Sequence, residues 1–179
     1  YARIAGDEEI AQKNKASLLE GLFQNFPELI GIALYNDDKE LASAFDEASL
    51  EPFGLTRDDL AQELELNPLP LDKIRGGDVY LRNSSPTEEL PLMIMALAPS
   101  SSSGELGTNV VSAYLRLDSV QRIAARFRVF EVALYDADGV FLGHRDLSRV
   151  AKRERVSTLP AADTMGNAQT LGGTVEYER

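Results

Sequence analysis

The chain of 179 residues has no cysteine, no tryptophan and a single histidine, His144. Without cysteine there can be no disulfide, no thiolate metal site and no cysteine nucleophile. One histidine excludes two-histidine zinc motifs. Triad chemistry would have to use His144 as base without the G-x-S-x-G elbow that presents a serine nucleophile. No apolar run reaches the roughly 18 residues from which a membrane span is read. Basic residues are scarce, with 18 Lys and Arg against 29 Asp and Glu and a net charge of −11. Nucleic-acid binding rests on neutralising phosphates, so this balance speaks against it. Only residues 116–155 reverse the sign, with 9 Lys and Arg against 6 Asp and Glu. That stretch lacks interleaved aromatics and reads first as a solvated helix and loop, and more sharply as the end nearest an anionic membrane surface.

What remains is 44% hydrophobic and long enough to bury a real core. The chain starts at Tyr1 and stops in the strand-like run TVEYER, so both ends are expected to continue in a longer protein. Leu18, Leu22 and Phe26 recur every four residues, with Leu19 and Phe23 beside them, and predict a helix that Pro27 stops. IGIALYN and LASAF read as strands joined by the polar turn NDDK. A segment over 47–78 follows, irregular apart from a short helix with Thr56 as N-cap and Asp59 three residues later. DVYLRN, LPLMIMALA and NVVSAYLRL are three further strands, the last two joined by the low-complexity loop SSSSGELG. Asp118 or Ser119 caps a helix running to about Phe127. Five antiparallel strands with helices on one face define an α+β module.

At Val129 the pattern restarts. Ala33, Leu34, Tyr35, Asp38 and Asp46 coincide without a gap with Ala133, Leu134, Tyr135, Asp138 and Asp146. One sheet-opening hairpin is thus expected to serve two successive modules. The second continues with VFLGH, a helical stretch over about Thr158–Ala168 and the strand GTVEYE. Several fragments imitate chemistry without completing it. HRDL at His144–Leu147 lacks the asparagine that a kinase catalytic loop needs at Ala151. DADG lacks the calcium ligands that would fall at Leu134 and Arg145, and reads as a hairpin turn. The pairs Asp58–Asp59 and Glu88–Glu89 read as solvated, and His144 as a hydrogen-bonded structural group. No catalytic or metal site is expected, and no cofactor.

The stretches QNFPELIGIALYNDD, GDVYLRNSSPTEELPLMIMALAPS, NVVSAYLRLDSVQRI and VALYDADGVFLGHRDLSRVAKRERVSTLPA together resemble the double Cache domain, the tandem PAS-like extracytoplasmic sensor of bacterial receptors. The resemblance implies a long stalk helix over 1–27, a membrane-distal PAS-like module over 28–127 and an incomplete membrane-proximal module over 128–179. A single module with an extra hairpin is the alternative. It further implies a non-enzymatic ligand sensor, the periplasmic or extracellular portion of an inner-membrane protein. Such a sensor would bind a small molecule in the distal module, pair as a homodimer through the N-terminal helix and meet the membrane only through flanking segments. The ligand would lie between the sheet and the crossing segment over 51–78. Tyr80, Arg82, Tyr114 and Arg75 would suit an organic anion, with Met93 and Met95 against its apolar part. The rival function is a protein-interaction or dimerisation module of the same fold with no small-molecule ligand.

Overall fold

The computed structural model describes residues 17–36, 39–99, 109–126 and 132–156. A helix, α1, covers residues 17–25 and ends just before Pro27. The hairpin β1 (Leu29–Asn36) and β2 (Lys39–Phe45) follows. The chain then crosses the sheet through α2 (Glu47–Leu50), a 3-10 turn (Glu51–Phe53), α3 (Arg57–Leu66) and α4 (Leu71–Arg75). Strands β3 (Tyr80–Asn83), β4 (Leu92–Leu97) and β5 (Asn109–Arg116) complete a five-stranded sheet of order β2-β1-β5-β4-β3, antiparallel throughout. Helix α5 (Asp118–Arg126) leads to a second, two-stranded sheet, β6 (Ala133–Tyr135) with β7 (Phe141–His144), closed by α6 (Leu147–Ala151). The expected α+β class is what the chain adopts. Residues before 17, the SSSSGELG loop, the helix over 158–168 and the strand GTVEYE lie outside the described residues.

Alternation along the strands sets the core. In β4 and β5 every second residue is fully buried, so Leu92, Ile94 and Ala96 share one face with Val110, Ser112 and Tyr114. Leu50, Leu60 and Ile74 descend from the crossing segment onto that face. Each such side chain contributes roughly 1.5–3 kcal/mol by leaving water. The intervening residues, Met93, Met95, Val111, Ala113 and Leu115, point the other way and are half-buried.

The sequence repeat is also a structural one. Ala33 pairs with Ser43 and Leu34 with Ala42, whereupon a bulge advances Tyr35 to Glu40. Ala133 pairs with His144 and Leu134 with Gly143, and a bulge again advances Tyr135 to Phe141. The irregularity falls between the same leucine and tyrosine in both copies, and turns both Ala–Tyr pairs inward. Ala33 and Tyr35 join the main core, while Ala133 and Tyr135 pack against Phe141, Val150 and Val156. Each hairpin then enters a short helix begun by an aspartate, Asp46 before α2 and Asp146 before α6. The buried Leu50 and Val150 sit at matching positions in these helices. DADG is the expected turn: Asp136 Oδ1 accepts the N–H groups of Asp138 and Val140, and Gly139 takes φ 74°. His144 is buried as a structural group, its Nδ1 accepting the Asp146 N–H at 3.0 Å and its ring tilted on Phe141. Helix α6 was not expected, because a single five-residue turn is too short to show helical periodicity.

Two side-chain amides fasten the second hairpin, one from the first sheet and one from α5. Asn83, at the end of β3, donates from Nδ2 to the carbonyls of Phe141 (2.5 Å) and Val150 (2.8 Å), and its Oδ1 accepts from the Ser85 N–H. Gln121 on α5 donates to Leu142 O and accepts from the His144 N–H, as a neighbouring strand would. Gly143 lets α5 come this close, since a Cβ there would lie 2.8 Å from Val120 Cγ1. Replacing Asn83 with alanine leaves two buried carbonyls without their donor. A loss of about 1–3 kcal/mol is expected in denaturant unfolding; an unchanged midpoint would contradict the fastening role.

Candidate functional site

Between the sheet and the crossing segment lies a cleft of about 490 Å³. Tyr35 and Glu40 line it from the β1–β2 hairpin; Ala61, Leu64, Glu65, Pro68, Leu69 and Leu71 line it from α3 to the start of α4. The local sequence builds this wall. Thr56 Oγ1 accepts the Asp59 N–H while the Asp59 carboxylate accepts the Thr56 N–H and O–H, a reciprocal cap that starts α3. Those hydrogen bonds hold the Asp59 carboxyl below its ordinary range. Within α3, Leu60 enters the core, while Ala61, Leu64 and Glu65 recur at helical spacing along the cleft. Pro68 and Pro70 prevent the helix from continuing and leave an extended wall.

Glu63 ties this roof down. Its Oε2 accepts from Arg82 Nη2 at 3.1 Å and from Ser84 Oγ at 2.9 Å, and its Oε1 from Arg153 Nη1 at 3.0 Å. Arg82 also donates from Nη1 to Asn67 O at 2.6 Å, gripping the end of α3. The Glu63 and Arg82 side chains are only 15% and 14% exposed, so the pair is protected from solvent screening. Arg153 reaches Glu63 from beyond α6, from a left-handed backbone conformation with φ 51°.

The inner sheet face carries polar groups whose needs the protein leaves unmet. Tyr114 OH and Arg82 Nε are buried without a hydrogen-bond partner, and Tyr35 OH and Ser112 Oγ are buried beside each other with no other partner. The register brings them to one side: Ser112 stands opposite Ala33 and Ala96, Tyr114 opposite Gly31 and Ile94, and Arg82 opposite Ile94. Buried polar groups of this kind are ordinarily met by water or a ligand. Burial pushes the Tyr114 phenol far above its ordinary value; Tyr35 and Glu63 add to the rise, and Arg82 opposes it. Burial likewise raises Tyr35, against the nearby Ser112 hydroxyl and with the Glu40 carboxylate. Two other hollows lack this property. One of about 770 Å³ runs between Glu28, Arg116 and α5, and one of about 540 Å³ lies between α1 and β2. Among the described residues neither is lined by a buried polar group without a partner.

None of the six side chains proposed from the sequence lines the 490 Å³ cleft, although three lie on its face of the sheet. Tyr114 and Arg82 belong to the buried polar set, and Tyr80 packs half-buried beside Ile74 and Ala96. Arg75 stays on α4, ion-paired with Asp72 at 3.4 Å. Met93 and Met95 are placed on the opposite face, because they pair with Leu115 and Ala113 while their neighbour Ile94 pairs with Tyr114. Their strand parity separates them from the cleft. Tyr35, Glu40 and Glu65 were missed. The signal for Tyr35 was its two-residue spacing from Ala33, both inward; the bulge that aligns Glu40 beside it has no mark in the sequence.

No protein-family model matches the chain, and no curated protein matches it either. Two solved structures are similar at a TM-score of 0.48 and 16% identity, each over 86% of this chain. They are the extracellular domains of the proposed histidine kinases mmHK1S-Z2 and mmHK1S-Z3, of which 67% and 64% are covered. The likeness is loose, and the cleft stands on its own geometry.

Removing a buried hydroxyl that has no partner should cost the fold nothing. Tyr114→Phe is expected to change stability by less than about 1 kcal/mol, on the stabilising side. A loss above about 2 kcal/mol would show that the hydroxyl is already satisfied. Raised phenol values in the fold also mean that stability present below pH 10.0, the ordinary tyrosine value, falls as pH rises beyond it. The double variant Tyr35→Phe/Tyr114→Phe should lose less stability there than the parent.

Proposed function

We propose that the chain is an extracytoplasmic ligand-sensing domain of a bacterial transmembrane signalling receptor, with a small molecule held beneath α3 and α4. The observation that carries this reading is the cleft of about 490 Å³ between the β1–β2 hairpin and α3 to α4, beside a sheet face that buries the unpartnered Tyr114 hydroxyl, under a roof held by the Glu63 carboxylate. A packed structural module would fill such a face with apolar groups or pair its hydroxyls. A bound molecule shifts populations only by its differential affinity for two states. Here the two states are arrangements of α3 over the sheet. Glu63 joins α3 to Arg153 near the second hairpin, so a displaced roof changes what that hairpin contacts. The extracellular origin of the two similar structures agrees with this reading but does not bear its weight.

A second reading, an interaction or dimerisation module, is favoured by α1. Leu18 is 75% exposed and Phe26, just beyond the helix, is 58% exposed, an apolar surface one turn apart from the half-buried Leu22. One pair of measurements separates the two. Thermal unfolding in the presence of organic acids, amines and purines is expected to show a saturable rise with at least one class, because binding only the folded state raises its stability. Ala61→Trp, which fills the cleft, should abolish that rise. No shift with any class, together with self-association that Leu18→Glu abolishes, would establish the second reading instead.

A further inference from the structure

We infer that Arg153 is a strained latch: it ties α3 to the segment 154–156 that closes the second sheet, and it lets that segment move when Glu63 is withdrawn. This coupling belongs to the fold and holds whether or not the cleft takes a ligand.

Its origin is a helix end. Helix α6 terminates with the Arg153 N–H on Val150 O and the Glu154 N–H on Arg149 O, both at 3.0 Å. This paired pattern puts the residue after the cap in the left-handed region, where glycine is usual because it has no Cβ. Arg153 stands there instead, at φ 51°, the one non-glycine residue with positive φ among the described residues. The conformation disfavours a residue with a side chain by roughly five- to thirtyfold. Nothing at the helix end calls for an arginine; its use is at a distance. Nη1 donates to Glu63 Oε1 at 3.0 Å and Nη2 to Ser85 O at 3.4 Å, contacts 90 and 68 positions away in sequence.

Directly after Arg153 the chain pairs with the second hairpin. Glu154 O accepts the Phe141 N–H, Val140 bridges Arg155, and the Val156 N–H donates to Gly139 O at 2.8 Å. Rotation of the backbone at 153 therefore re-aims the segment on which β7 closes. With Glu63 withdrawn, the guanidinium keeps only its longer bond to Ser85 O. Relaxation out of the left-handed region then takes the Glu154 N–H off Arg149 O. Asn83 acts differently. It reaches the carbonyls of Phe141 and Val150 from β3, so it fastens the hairpin without following α3.

Arg153→Gly and Arg153→Ala both cut the latch, but only glycine relieves the backbone. In denaturant unfolding the glycine variant is expected to show an unfolding constant about fivefold below that of the alanine variant. Equal constants, or a less stable glycine variant, would overturn the strain. Amide exchange then tests the coupling. Glu63→Gln alone is expected to lower protection at Phe141, Glu154 and Val156 by about tenfold. In the Arg153→Gly background the same substitution should loosen α3 and leave those three amides unchanged. Loss at those amides that persists in the glycine background would route the coupling through another contact and overturn the latch, as would no loss with Glu63→Gln alone. Glu63→Asp, which keeps the charge and shortens the reach, gives the same comparison if Glu63→Gln does not fold.

Discussion

One carboxylate, Glu63, holds three parts of this molecule in register. It receives Arg82 from the sheet, Ser84 from the turn after β3 and Arg153 from beyond α6. Two guanidinium groups on one acid leave a local excess of positive charge, partly relieved where Arg82 also donates to Asn67 O and Arg153 to Ser85 O. Removing the acid would strand both cations in a partly dry site, which costs far more than the pair's net contribution. The site therefore specifies geometry more than it adds stability. It fixes how high α3 stands over the sheet, and so the depth of the cleft beneath.

The second hairpin depends on the first sheet in the same manner. A two-stranded ribbon is marginal alone in water. Here its backbone groups are completed by Asn83 and Gln121, and its small core of Phe141, Val150 and Val156 is extended by Arg149, whose guanidinium lies 4.6 Å from the Phe141 ring centroid. Because Arg153 and Asn83 both lead back to the end of β3, the cleft roof and the second hairpin share an anchor. A change at either is felt at that point.

Much of the fold was legible in the residues. Thr56 and Asp59 announced the cap of α3, and the apolar runs LMIMAL and NVVSAYLR announced two strands. The coincidence of Ala-Leu-Tyr with a later Asp announced a hairpin used twice, while the bulge in each copy and the helix begun by Asp146 had no mark in the sequence. The site was less legible, for a definite reason. Which strand residues share a wall is decided by pairing register, and a shift of one residue moves a side chain to the other face. By that parity Met93 and Met95 fall on the far face of the sheet, and Tyr114 and Arg82 on the near one. Arginine drew attention as an anion ligand, but whether an arginine is already engaged depends on acids distant in sequence, and Glu63 lies 19 positions from Arg82. Tyr35 was read as part of a repeat, and its hydroxyl, buried beside Ser112, becomes visible only when β1, β5 and α3 are brought together.

Amide hydrogen exchange of Glu63→Gln tests the shared anchor most directly. The neutral amide keeps the size of the side chain and removes the charge that both arginines seek. The expected result is joint loss of protection in α3 and in the β6–β7 hairpin, with β1, β4 and β5 exchanging as before. Loss confined to α3, with β6–β7 as protected as in the parent, would contradict it.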